Sequence, residues 1–253
     1  MHAIAQSRSY SPWRCYVLEA RYELLRQLRE PAFVLPTLLF PTAFYLLFGV
    51  MLSRSAAAAE YMLAGYGVFG IMGAALFGFG AGIAHERERG LLRLKRALPA
   101  PPGAWLLAKM VAAMAFAAVI SLLLAVLAAT LGEVALAPWQ WLLLFAVNVL
   151  GVLPFCALGL YIGSLVGGNA AVALVNILFL PMAFLSGLWM PLSVLPDIFT
   201  RLAPVWPAYH LGQVAMKVVG HDAGGSLWLH LGVLAVVTGV FFVLARRRLA
   251  VVG

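Results

Sequence analysis

Between Glu133 and Asp197 the chain carries no Asp, Glu, Lys or Arg. One bilayer crossing takes about 20 apolar residues, so this stretch is roughly three times as long as a single crossing needs. Hydrocarbon offers no partners for backbone N–H and C=O groups, so a run like this has to fold as helices that satisfy their own hydrogen bonds. Hydrophobic residues make up 64% of the chain and charged residues 10%, which excludes an ordinary soluble domain. A net charge of +8 would suit a nucleic-acid partner. The charges, however, sit at the ends of apolar runs, as membrane topology requires, and no nucleic acid is expected.

Gaps between charged residues predict six spans. The first lies between Glu30 and Arg54, the second runs from about Tyr61 to Ala84, and the third from about Trp105 to Leu131. Gly167-Gly168-Asn169 divides the long uncharged stretch into a fourth span near Trp139 to Val166 and a fifth near Ala170 to Trp189. The sixth lies at about Leu227 to Ala245. The expected fold is an all-α integral membrane protein, with residues 1–253 forming one six-span domain. The first apolar run starts only after about thirty polar and mixed residues, so no cleavable signal peptide is expected.

Lys and Arg set the orientation. The N-terminal segment, the loop after the second span and the C-terminal tail hold fourteen of them, and the other side has only Arg54, Arg201 and Lys217. Both termini and that loop are therefore expected in the cytoplasm. The loop, His85 to Lys109, is the densest charge cluster in the chain. Its first part, Glu86 to Arg96, has helical character, with Leu91, Leu92 and Leu94 as an apolar side, and Pro99, Pro101, Pro102 and Gly103 end it. Two readings stand for it: a solvated loop that records topology, or a surface helix that docks a soluble partner.

Ahead of the first span, Ser11 to Glu30 reads as an amphipathic helix lying on the membrane surface. Trp13, Val17, Leu24, Leu25 and Leu28 form its apolar stripe, and Arg14, Arg21, Arg26 and Arg29 are placed for anionic headgroups. Gly70, Ala74, Gly78 and Gly82 in the second span, and Gly159, Gly163 and Gly167 in the fourth, form ridges for close helix packing. Before the last span, Ser186 to His210 is broken by Pro191, Pro196 and Pro207 and carries Trp189, Trp206 and Tyr209. It suits short re-entrant or interfacial helices, followed by another short helix from Leu211 to Val219.

No acidic or basic residue is expected within a span, whereas ion-coupled transporters usually need one. Asn148, Asn176 and Ser186 are assigned to helix–helix hydrogen bonding. The chain has no phosphate-binding loop, no zinc-protease pattern and no nucleophile–base arrangement. Cys15 and Cys156 sit in different environments and suggest neither a disulfide nor a metal site. The chain is thus not expected to be an enzyme or to hold a cofactor, and uphill transport would need another polypeptide.

These features together resemble the permease subunits of type-2 ABC transporters, a family that includes drug, antibiotic and polysaccharide exporters. The resemblance covers nearly the whole chain. The family's cytoplasmic loop has an E-x-E-x-G-T-L pattern followed by Thr-Pro, matched here by Glu86, Glu88, Gly90, Leu92 and Pro99, with Lys109 as the basic residue opening the third span. Ser186, Gly187, Pro191, Leu195 and Pro196 match its Ser-Gly and Pro-rich segment, while Leu91 and Leu98 stand where threonine is common.

The resemblance implies ATP-driven export from a bacterial-type inner membrane. A separate ABC ATPase subunit would hold ATP and Mg, and the permease would pair as a homodimer in contact with membrane lipids. Glu86, Glu88, Gly90, Leu91, Leu92, Leu94 and Arg96 would couple to the ATPase, and Trp13, Arg21, Leu24 and Leu28 would mark the interface helix. Phe40, Phe44, Phe69 and Phe77 are candidates for lining a path suited to a hydrophobic or amphipathic small molecule or lipid. A lipid-linked glycan permease and a non-transporting scaffold for an ATPase are the alternatives.

Overall fold

The computed structural model describes residues 11–97, 101 and 103–252 of the chain. Leu98, Pro99 and Pro102, and the side chain of Arg96, lie outside the described residues. Among the described residues the fold is all helical. Helix α1 spans Pro12–Leu28. Six helices are long and apolar enough to cross a membrane: α2 (Pro31–Met51), α3 (Ala56–Glu88), α5 (Ala104–Thr130), α6 (Pro138–Leu165), α7 (Gly168–Leu185) and α10, apolar over Leu227–Ala250. Between them come α4 (Leu91–Ala97), α8 (Asp197–Leu202) and α9 (Pro207–Val219).

The bundle is built around α3, most of whose apolar length is buried. Its sequence explains why it sits at the centre. Small residues at Gly67, Gly70, Gly73 and Gly80 let other helices approach at close range, where dispersion supplies the attraction. Gly159 and Gly163 of α6 meet α3 there: a Cβ on Gly163 would lie 2.6 Å from the Gly80 carbonyl oxygen. The expected packing ridge of Gly70, Ala74, Gly78 and Gly82 is used in its first half. Gly70 packs closely on Ile120 and Pro41 and Ala74 is buried, whereas a Cβ on Gly78 or Gly82 would make only ordinary contact, and the three glycines line a groove.

Two spans depart from regular α-helix. In α3, Leu76–Ala81 forms a π-helical stretch, and α2 ends in another at Tyr45–Met51. Such insertions bend the hydrogen-bond ladder and re-aim side chains. In α2, Pro36 and Pro41 each remove a backbone donor, and the Thr42 hydroxyl donates to the Leu38 carbonyl at 2.6 Å.

Two expectations about helix boundaries change. The segment Glu86 to Arg96 is not one helix, because Glu86 and Glu88 belong to the end of α3. The chain then turns at Gly90, whose φ of 71° favours glycine, and α4 starts at Leu91. The spans also carry charge: Lys109 lies inside α5 and is fully buried.

At the end of the bundle away from the basic residues, the broken segment folds into short 3₁₀ and α turns and then α9. Tyr61 donates to the Gly187 carbonyl at 2.6 Å, and Gln140 donates to the Val218 carbonyl at 2.7 Å. His210 and His230, both buried, join α9 to the start of α10 through their Nδ1 atoms at 2.9 Å. The His210 Nε2–H donates to the Pro204 carbonyl, so His210 Nδ1 is the acceptor of that pair.

Candidate functional site

The basic end of the bundle is held by a buried cluster of charges. Lys109 of α5 donates to Glu23 of α1 at 2.8 Å and to Glu86 of α3 at 2.6 Å. Arg26 binds the Glu23 carboxylate through two nitrogens, at 2.6 and 3.2 Å, and comes within 3.2 Å of Glu86. Gln27 donates a further bond to Glu23 at 3.0 Å. Two cations thus face two carboxylates, which is what allows Lys109 to sit with no exposed surface. Burial alone would raise the Glu23 carboxyl pKa. The Arg26 hydrogen bond and the charge of Lys109 outweigh it and hold that pKa down to about 2.

This cluster sets the inward face of α1. Its buried residues are Glu23 and Gln27, not the apolar stripe. Leu24 packs against the core, but Trp13 is 76% exposed and Leu28 50% exposed, and Arg21 is exposed beside them. Helix α1 therefore grips the bundle with polar groups and leaves its aromatic and aliphatic side chains outward.

The proposed coupling residues divide in the same way. Glu86 and Leu92 turn inward and are 5% and 4% exposed. Glu88 is exposed, Leu91 is 37% exposed and Leu94 60% exposed, and Gly90 forms the turn between the two sets. Lys95 reaches Glu19 of α1 at 3.7 Å, so α1, the end of α3, α4 and the start of α5 form one block.

From this block a groove of about 830 Å³ runs between α2, α3 and α7. Its mouth holds Arg26, Glu30, His85, Glu86 and Arg89, and its far end reaches Trp189. All four phenylalanines singled out in the sequence, Phe40, Phe44, Phe69 and Phe77, line it. The rings form a ladder. Phe44 packs on Phe69 and Trp189 with centroids 6.1 and 5.7 Å away, and Phe179 of α7 packs on Phe69 at 4.9 Å and on Phe77 at 5.7 Å. The groove is open along one side, where Phe40 is 57% and Leu180 46% exposed.

Of the intramembrane polar groups, Asn148 donates to Ser121 at 3.1 Å and so links α6 to α5. Asn176 bonds the Val172 carbonyl in its own helix and lines the groove. Phe179 and Glu23 were not singled out by the sequence, and Trp189 was read as an interfacial aromatic rather than as part of a groove. A lone lysine inside an apolar run was the available signal for Glu23, because a buried ammonium requires a carboxylate from elsewhere in the chain.

The sequence model of the ABC-2 type transporter family matches residues 16–219. The chain belongs to that family. Membership makes it the transmembrane subunit of an ABC transporter and implies an ABC ATPase partner. It is similar to a chain of Bacillus subtilis (strain 168) that carries the name transport permease YvfS, 29% identical over 229 residues, which covers 88% of this chain and 92% of that one. It is also similar to Nodulation protein J of Sinorhizobium fredii (strain NBRC 101917 / NGR234), 33% identical over 129 residues and 48% of each chain.

Proposed function

We propose that this permease is the membrane subunit of an ATP-driven exporter that moves a hydrophobic or amphipathic small molecule or lipid out of the cytoplasm or inner leaflet. The groove carries this reading. It joins a charged mouth to an aromatic wall and opens sideways, as a cargo with a polar head and an apolar body needs. Both termini and the basic end face the cytoplasm of a bacterial-type inner membrane, in line with the excess of Lys and Arg there.

ATP and Mg are held by the partner ATPase. It docks on the outward side chains of the basic end, Glu88, Leu91 and Leu94, and its closure moves the block of α1, α3, α4 and α5. Arg96 is part of the same docking set. Trp13 and Leu28 of α1 lie among lipid acyl chains, and Arg21 lies at their headgroups. Two copies pair along the open side of the groove, so that each closes the path of the other. The groove favours transport over the scaffold reading, because a scaffold has no use for a continuous aromatic channel.

Co-purification with the ATPase followed by ATP-dependent dye transport in proteoliposomes tests the proposal. Wild type is expected to form the complex and transport. Leu94→Asp is expected to weaken the complex, and Phe44→Ala to keep the complex while reducing transport. Equal transport by Phe44→Ala, Phe69→Ala and their double variant would contradict the assigned path.

A further inference from the structure

The turn between α6 and α7 is gripped by the end of α3. Helix α6 ends at Leu165, leaving its last carbonyls without partners in the helix. Arg87 supplies them: one guanidinium nitrogen donates to the Ser164 carbonyl, and the other to Val166 at 2.8 Å. Arg248 of α10 also donates to Ser164, at 3.2 Å. Two cations at a helix C-terminus are favourable to its dipole, and the rigid guanidinium fork serves the two carbonyls from two separate nitrogens, where an ammonium would have to reach both from one.

The contact continues into the next residues. A Cβ on Gly167 would lie 2.0 Å from Glu88 Oε1, and one on Gly168 would lie 2.6 Å from the His85 ring. Gly168 is the first residue of α7, and the Ala171 N–H donates to the Gly167 carbonyl at 2.7 Å. Helix α7 in turn supplies the groove wall that carries Val172, Asn176 and Phe179. The last helical turn of α3, residues 85–88, thus touches α7 at its first residue, and α4 begins just beyond Arg89 and Gly90.

We infer that Arg87 is a positioning residue that ties the α6–α7 turn to the end of α3, so that a displacement applied at α4 is delivered to the α7 wall of the groove. The inference rests on the transport reading above. The Arg87 fork couples two turns that the chain joins only through a long detour. Because the Gly167 and Gly168 contacts leave no slack, the two turns move as one body.

The test uses the permease with its ATPase in proteoliposomes. The probes are a fluorescent short-chain phospholipid and a lipophilic rhodamine dye, and transport is scored per ATP hydrolysed. Arg87→Gln is expected to assemble and to keep basal ATP hydrolysis within about twofold of wild type, while transport per ATP falls about five- to tenfold. Arg87→Lys, which keeps the charge but loses the two-nitrogen fork, is expected to fall between them. It also serves if the glutamine variant does not accumulate. Bridging His85→Cys to Gly168→Cys in the Arg87→Gln background, with the native cysteines removed, is expected to restore transport until reductant is added.

A role in folding alone predicts less protein with unchanged transport per ATP, and that result overturns the inference. So does a bridge that forms without restoring transport. A wild-type complex that hydrolyses ATP and moves neither probe overturns the transport reading itself, and the inference with it.

Discussion

Lys109 is the only charged residue in α5, and its burial depends on carboxylates from two other helices. Removing one partner of a buried ion cluster costs about 3–5 kcal/mol, because the remaining charges are left uncompensated in low dielectric. Lys109→Met is therefore expected to lower stability by about that amount. Thermal unfolding in detergent measures this, and adding Glu23→Gln and Glu86→Gln to the same protein should recover a large part of the loss. Glu23 also makes the cluster sensitive to acid. Its folded pKa of about 2 lies below the ordinary value of 4.5. The stabilisation is thus complete above about pH 4.5 and is lost as pH falls toward 2. Melting curves between pH 7 and pH 3 should show a falling midpoint in wild type, with a smaller fall across that window in Glu23→Gln.

Helix packing adds a second kind of constraint. Gly163 lies so close to the Gly80 carbonyl that a larger side chain has to displace backbone. Gly163→Val is expected to cost about 1–3 kcal/mol, read as a lower melting temperature, whereas the methyl of Gly82→Ala makes only ordinary contact and should change little. The number of spans and the helix ends near Gly167 and Leu227 were legible in the sequence, because charge gaps and Gly pairs record what hydrocarbon excludes. The polar, buried face of α1 was not. Its apolar spacing marks Trp13, Leu24 and Leu28 as a membrane-facing stripe and gives no sign that Glu23 and Gln27 are buried opposite, Glu23 through Lys109, which lies 86 residues further along the chain. The break at Gly90 was hidden by the strong helix formers around it, since a positive φ leaves no periodic signal. The phenylalanines of the groove were visible as residue types, and only packing shows that Phe179 and Trp189 complete their ladder.

Across the whole molecule, the open side of the groove is flanked by apolar side chains that a bilayer or a second copy must cover. Leu39 is 57% exposed and Ile177 70% exposed. Pairing of two permeases along this side predicts that Leu39→Cys or Ile177→Cys forms an intermolecular cross-link in membranes, and that Val240→Cys on the outer face of α10 does not. In the proposed mechanism a basic end receives movement, α3 and α7 carry it, and an aromatic groove lies between them. The most direct measurement is ATP-dependent transport of a lipophilic dye by the reconstituted complex, comparing wild type with Phe44→Ala/Phe69→Ala at equal ATPase assembly. Wild type is expected to transport actively and the double variant to lose severalfold, with basal ATP hydrolysis retained. Transport by the double variant at the wild-type rate would contradict the groove as the path.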